Sequence, residues 1–381
     1  MSQFDQVRRP VAEAHGLPSA LYTDSIWCDE ERKRVFFGGW ACVGIGADVP
    51  NIGDAAPIDF YGVPLLLVRG RDGGLKLFQN VCRHRGMILV SEKTNTGGLI
   101  RCPYHAWSYA LDGRLRATPH VGGAGQHSCA AIDPAQTGLL EVRSGVFLDA
   151  VFADLSGAAE PFDDFIAPIR ARWADFADRP LYHGGAESRF TLEIKGNWKL
   201  AVENYCESYH LPFVHPGLNS YSRLEDHYNI ERQGHYAGQG THVFAPSYLD
   251  NQSFPDFPDL PDRWSRAAEY LALFPNVLFG VHRDHVFSIR LEPMSADGTR
   301  EHVEIYYADP AAAHGDDFKA LREHNARMWK DVFVEDIFVV EGMQQGRGAP
   351  GFDGGRFSPA MDGPPHCFHD WVAARMAGAA A

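Results

Sequence analysis

No stretch of this chain approaches the roughly 18 consecutive apolar residues that a membrane-spanning helix needs, so no membrane partner is expected. Nor does it open on a cationic and apolar leader, and a reducing cytoplasm is the expected location. Cysteine is sparse and odd in number: seven in 381 residues. That count, spread along the whole chain, excludes a disulfide framework. Positive charge is also short, with 35 Lys and Arg against 49 Asp and Glu and a net charge of −14. Nucleic acid is therefore not an expected partner, since phosphate binding is carried by Lys and Arg. A phosphate-binding glycine loop is missing too, because Gly44-x-Gly46 lacks the strand-turn-helix context. There is no flavin or nicotinamide motif and no internal repeat. What remains is an ordinary soluble composition, 45% apolar and 22% charged, at a length that suits two domains.

Residues 24–37 read as a short helix, with Ile26, Trp27, Val35, Phe36 and Phe37 as candidate buried positions. From Trp40 to about residue 150 the texture is short apolar segments separated by Gly, Asp and Pro, which predicts an all-β module. A helix with an aromatic face is expected from Pro161, a strand over 189–199, and a helix running from Leu200 to His210. Residues 245–262 read as proline-rich loop. Over 269–308, three apolar runs predict an antiparallel meander, and a long helix is expected over 316–342. The Gly- and Pro-rich tail 346–365 is ordered only if something packs on it.

Two clusters of ligand-type residues stand out. Cys82 and His84 form one pair, and Cys102 and His105 a second, as C-x-H-x17-C-x-x-H. Thiolates with imidazoles suit zinc, copper or an iron–sulfur cluster, and ligand type alone leaves these open. The order, His second in each pair, is not that of the usual zinc finger. The second cluster is Asn204-Tyr205-Cys206-Glu207-Ser208-Tyr209-His210 followed by His215. Pro212 and Pro216 predict that the helix gives way near His210, so His215 can fold back beside it. A third ligand is expected to be a buried carboxylate. Asp336 falls on the stripe Phe318, Leu321, Asn325, Met328, Val332, Val339, Val340 and Met343 of the late helix, where a carboxylate needs a metal, a cation or a donor. Glu335, about 100° away around the helix, is expected in solvent.

With Arg83, Arg85, Gly86, Pro103, Tyr104 and Trp107 around it, the first cluster resembles the Rieske [2Fe–2S] signature, in which the two Cys hold one iron and the two His the other. As is general for such centres, imidazole in place of thiolate raises the potential. The second, N-Y-x-E-x-Y-H-x4-H with E-D-x5-G on a late helix, resembles the catalytic domain of Rieske non-haem iron oxygenase α subunits. The resemblance implies an α+β chain: an N-terminal helical segment (1–39) packing on the catalytic domain, an all-β Rieske domain (40–150), and a helix-grip catalytic domain (151–381) of antiparallel sheet and long helices. It implies that His210, His215 and Asp336 hold Fe(II), that Asn204 stands beside the iron, and that Glu207 bridges the two metal centres, where the family commonly has Asp. Ala106 departs from the usual Gly after the second ligand His.

The implied activity is hydroxylation with O2 and electrons from NAD(P)H through a separate reductase of flavin or ferredoxin type, in a homotrimer where His105 of one copy reaches Glu207 of the next. The chain looks most like the choline, betaine and stachydrine oxygenases, so a quaternary ammonium substrate is expected, by hydroxylation or oxidative N-demethylation. An aromatic-ring or aromatic-acid oxygenase is the alternative. From another class come a Rieske electron carrier, against which the long second half argues, and a zinc-containing ligand-binding protein. Tyr205, Tyr209 and Phe213, with the meander, are the candidate pocket residues, able to hold an onium ion or a ring. His120, His127, His282 and His285 are expected at the surface or hydrogen-bonded.

Overall fold

The computed structural model describes residues 4–247, 249 and 252–377, and the chain divides into two compact units. One is Phe37–Phe162; the other joins Met1–Phe36 to Asp163–Ala381. The first unit thus runs past the expected boundary at 150. The Trp40 indole donates to the carbonyl of Glu160 at 2.9 Å, and the Phe162 ring packs 5.0 Å from Trp40 and 5.5 Å from Phe152. These contacts hold the segment after the last strand on the module.

That unit holds ten strands: β1 (Trp40–Ile45), β2 (Asp54–Phe60), β3 (Val63–Arg69), β4 (Leu75–Gln79), β5 (Thr94–Asn95), β6 (Leu99–Arg101), β7 (Ser108–Ala110), β8 (Leu115–Ala117), β9 (Arg143–Phe147) and β10 (Ala150–Asp154). They make three antiparallel sheets, ordered β4-β3-β2-β5, β1-β10-β9 and β6-β7-β8. Leu66, Val68, Phe78, Ile100, Trp107 and Tyr109 form a buried core that also contains Cys82 and Cys102.

The second unit is built on one eight-stranded sheet. Its strands are β11 (Tyr182–His183), β12 (Arg189–Ile194), β13 (His227–Arg232), β14 (Tyr236–Thr241), β15 (Ala268–Leu273), β16 (Val277–Val281), β17 (His285–Ser295) and β18 (Gly298–Tyr307). They run β11-β18-β17-β16-β15-β14-β13, with β12 also on β18. The apolar run 269–281, expected as one strand, is two, because the chain turns at Pro275 and Asn276 and pairs Leu273 with Val277. Helices Trp198–Cys206 and Lys319–Gly346 pack with this sheet. A last helix, Gly363–Met376, which the composition of the tail concealed, buries Cys367, Phe368, Trp371, Val372 and Met376. Its prolines Pro364 and Pro365 sit in the first turn, where no N–H partner is lost. Near the start, Asp24 caps the helix Ser25–Glu31 through Ile26 N at 2.8 Å. Trp27, Val35 and Phe36 are buried as expected, whereas Ile26 is exposed.

Candidate active site

In the β unit, the two Cys-plus-His pairs lie on matching loops. Cys82 N donates to Met87 O and Gly86 N to Cys82 O, at 2.8 and 3.0 Å. Cys102 N donates to Trp107 O and Ala106 N to Cys102 O, at 2.8 and 3.0 Å. Both loops need a left-handed residue at the same place: Gly86 has φ +76° and Ala106 φ +58°. The missing glycine at 106 therefore carries a backbone cost that the sequence alone does not display. The cysteines are buried, while His84 is exposed and His105 half-buried. Their rings lie 4.8 Å apart, and His84 stacks on Trp107 at 4.7 Å. Arg83 N donates to the Tyr109 oxygen at 3.0 Å, which leaves the Tyr109 O–H to point at Cys82 Sγ, 3.3 Å away.

This arrangement discriminates among metals. Donors around one tetrahedral zinc ion lie roughly 3.3–3.8 Å from each other, given Zn–N and Zn–S bond lengths. Among the described residues, the group of three His, Cys, Asp or Glu donors all within 4.8 Å of one another is His210, His215 and Asp336. The Cys82, His84, Cys102 and His105 set is not gathered about one point in that way. It fits a two-iron cluster with its thiolate end inside and its imidazole end toward the surface.

In the larger unit, the helix before the paired histidines starts at an Asn197 cap and ends at Cys206, earlier than expected. Glu207 is extended (φ −120°, ψ 157°), and its carboxylate accepts from the backbone N–H of Tyr209 and from that of His210 at 3.2 Å. It thereby holds the turn Ser208–His210 that leads into Leu211–Val214, in which Pro212 stands where no donor is needed. This break turns both histidines toward the long helix. His210 Nε2 lies 3.6 Å and His215 Nε2 2.9 Å from Asp336 Oδ1. On the far side of each ring, Nδ1 faces another carboxylate: Glu207 for His210 at 2.7 Å and Glu335 for His215 at 2.8 Å.

Nδ1 donating to a carboxylate leaves an Nε2 lone pair aimed at Asp336, and such a set of acceptors calls for a cation between them. Burial alone would lower the His215 pKa, but the Asp336 and Glu335 carboxylates outweigh it and raise it. Asn204 Nδ2 donates to Asp336 Oδ1 at 3.1 Å. The donors present are those of a two-His, one-carboxylate Fe(II) site.

The three donors line a common pocket that opens to solvent. Its wall is a row across the sheet, in which Gln239 pairs with Tyr270, Tyr270 with Gly280, and Gly280 with Phe287. A Cβ on Gly280 would lie 2.3 Å from Phe287 Cζ, so glycine lets that ring lie over the strand. Trp329 and Phe333 of the long helix and Tyr205 complete the aromatic lining.

Two readings of the sequence need correction. Tyr209 and Phe213 are exposed and do not line the pocket, because the turn at Glu207 directs them outward. The buried face of the late helix keeps Leu321, Asn325 and Val340 of the stripe read in the sequence but takes Trp329 and Phe333 in place of Met328 and Val332, which leaves Asp336 at its margin. Glu335 is exposed, as expected, and its carboxylate also meets His215 Nδ1. Of the two expectations for His282 and His285, surface or hydrogen-bonded, the second holds, and both are buried: His282 Nε2 meets the Tyr270 hydroxyl at 3.1 Å, and His285 lies between Asp284 and the Trp329 indole.

No helix among the described residues is long and apolar enough to cross a membrane. Comparison with known proteins places the two units in families. Residues 39–129 match the Rieske [2Fe–2S] domain and residues 184–378 the ring hydroxylating alpha subunit (catalytic domain). The chain is 30% identical over 346 residues to the carnitine monooxygenase oxygenase subunit of Escherichia coli K12, covering 90% of this chain and 87% of that one. It is 27% identical to putrescine 2-hydroxylase of Ralstonia nicotianae, covering 97% and 98%. Among solved structures, a quaternary ammonium Rieske monooxygenase bound to an inhibitor aligns with TM-score 0.77 and 24% identity over 98% of both chains. The chain thus belongs to the Rieske non-haem iron oxygenases as a catalytic α subunit.

Proposed function

We propose that this chain is a monooxygenase for a small organic cation, a quaternary ammonium or betaine-type compound, which it hydroxylates or N-demethylates. In this reading Cys82, His84, Cys102 and His105 hold the [2Fe–2S] cluster, and His210, His215 and Asp336 hold Fe(II). When bound, the cluster supplies single electrons and the iron supplies open positions for dioxygen. The chain's own residues do the rest. Glu207 and Glu335 take the Nδ1 protons of His210 and His215 and so fix which nitrogen faces inward. Asn204 orients the Asp336 carboxylate. The aromatic wall keeps water from the reacting carbon.

One observation carries the substrate class: five aromatic rings, Tyr205, Tyr270, Phe287, Trp329 and Phe333, surround the donors, with Asp336 among them and no Lys or Arg among the lining residues. Such a box attracts an onium ion by cation–π and charge interactions. The relatives support it, one acting on carnitine and one on putrescine. Formaldehyde release coupled to NADH use, measured with a surrogate reductase across quaternary ammonium compounds and arenes, tests the reading; turnover confined to ring hydroxylation would sink it.

For electron transfer the reading is a homotrimer served by a separate reductase of flavin or ferredoxin type, with His105 of one copy hydrogen-bonded to Glu207 of the next. Support comes from exposed apolar side chains close in the chain to each site: Tyr209 and Phe213 beside His210, Val334 and Phe338 beside Glu335, Met87 and Ile88 after His84, and Tyr104 next to His105. Arg83, Arg85 and Arg101 lie near His84 and His105 in the chain, which suits the carboxylates near His210 and His215.

A further inference from the structure

We propose that the pocket selects a cation whose far end donates a hydrogen bond, a hydroxyl or an amine, and rejects one that ends in a carboxylate. This deepens the reading just given and rests on it. The argument follows the protons on the pocket wall. The Gln239 side-chain NH2 donates to the main-chain carbonyl of Glu207 at 3.0 Å; an amide oxygen could not face that carbonyl, so the amide orientation is set. Gln239 Oε1 is therefore the atom 2.6 Å from His227 Nδ1, and the proton between them belongs to Nδ1. Burial lowers the His227 pKa; in the neutral ring with its proton on Nδ1, Nε2 carries only a lone pair.

Ser222 Oγ lies 3.0 Å from that Nε2 and gives it the hydroxyl proton. The other taker, Thr241 Oγ1, is farther at 3.4 Å, and its own proton goes to Val243 O. Whichever acceptor Ser222 serves, its own proton is committed and its oxygen is left as an acceptor.

Elsewhere on the wall several donors are committed as well, the Asn204 and Gln239 amides each keeping a second N–H. Tyr205 O–H donates to Phe279 O at 2.9 Å, Trp329 Nε1–H to His285 Nε2 at 2.9 Å, and Asn204 Nδ2–H to Asp336 at 3.1 Å. With no Lys or Arg in the lining, the pocket offers neutral polar groups, ring faces and one carboxylate, but no cationic donor. An ammonium or a hydroxyl meets partners there. A carboxylate meets the Asp336 charge and finds at most the second amide N–H of Asn204 or Gln239 to replace its water, a costly mismatch in a buried site. Ser222, only 1% exposed, is the acceptor we assign to the substrate's donor.

The test uses the iron-loaded holoenzyme and three trimethylammonium probes: choline, ethyltrimethylammonium, which lacks the hydroxyl, and glycine betaine, which carries the carboxylate. Equilibrium binding is expected to favour choline over ethyltrimethylammonium by roughly tenfold and over glycine betaine by more, on the usual worth of one buried hydrogen bond against an unpaired charge. Ser222→Ala is expected to narrow the choline-to-ethyltrimethylammonium ratio at least several-fold. Wild-type ratios decide the matter even where that variant fails to fold. Binding of glycine betaine equal to or tighter than choline overturns the inference while leaving a cation oxygenase standing. If none of the three binds and a neutral arene does, the cation reading falls as well.

Discussion

Replacing Glu335 by Gln leaves His215 and Asp336 in place but removes the charge that holds the His215 Nδ1 proton at 2.8 Å. Such carboxylates beyond a ligand histidine commonly tune metal affinity by about 10–100-fold. Glu335→Gln is therefore expected to lower iron affinity by about tenfold, measured by competition with a chelator, with the visible spectrum of the cluster unchanged. Retention of wild-type affinity would mean that Glu335 is only a surface partner. At Ala106 the expected sign is the opposite. The residue is held at φ +58°, where its matching loop uses Gly86. Ala106→Gly relieves a left-handed Cβ strain of roughly 1 kcal/mol, partly offset by the entropy glycine loses on folding. The β unit is expected to gain a few tenths to 1 kcal/mol, visible as slower loss of cluster colour on heating; a faster loss would contradict it.

Elements built from local patterns were legible in the sequence, and those set by packing were not. The two ligand pairs announce themselves because loop chemistry is local: each Cys is followed within a few residues by its His. The late helix was equally visible, yet two positions of its buried face were misread. Met328 and Val332 competed with Trp329 and Phe333 for the same stripe, and only the sheet decides which side is buried. The contact of the exposed Glu335 with His215 depends on where the turn after Glu207 places that ring. The end of the helix at Cys206 was hidden because Glu207 reads as a helix former, while its hold on the following turn depends on an extended backbone. Tyr205 was placed in the pocket, and Tyr270 and Phe287 were implicit only in the meander, since cross-strand register is not written in either strand alone. That register makes Gly280 testable. A methyl group there would fall 2.3 Å from Phe287 Cζ. Gly280→Ala is expected to push the ring into the pocket, costing about 1–3 kcal/mol by overpacking and raising KM more than it lowers kcat. Denaturation and steady-state kinetics on one preparation read both effects, and an unchanged KM would show that the ring has another way out.

At the scale of the molecule, a buried carboxylate ties distant segments of the larger unit together. Glu203 receives the Tyr22 hydroxyl, lies 3.2 Å from Arg347 Nη2 and 3.0 Å from His369 Nε2, and so joins an N-terminal residue, two helices and the end of the long one. Burial by itself would raise its pKa; His369, Arg347 and Tyr22 reverse that and hold it at about 2, below the ordinary 4.5. A depressed carboxyl stabilises the fold fully above its unfolded pKa, and that contribution drains away as pH falls from 4.5 toward 2. The amount is about 3 kcal/mol at most, by linkage. The stability gap between wild type and Glu203→Gln is thus expected to be large at pH 6 and to shrink by pH 3.5; a gap independent of pH would remove Glu203 from this role.

The division of labour between the two units has its own consequence. If electrons pass between copies, a chain whose cluster is disabled can still oxidise substrate when its neighbour's cluster is intact. Cys82→Ser, without a cluster, and Asp336→Ala, without mononuclear iron, should each be inactive alone. Dissociated, mixed and reassembled, they place a working cluster beside a working iron in a fraction of the assemblies. Recovery of activity from the mixture, rising with the chance of that pairing, is expected. Silence from well-assembled mixtures would mean that the cluster serves the iron of its own chain, and the exposed apolar side chains near His105 and His210 would need another explanation.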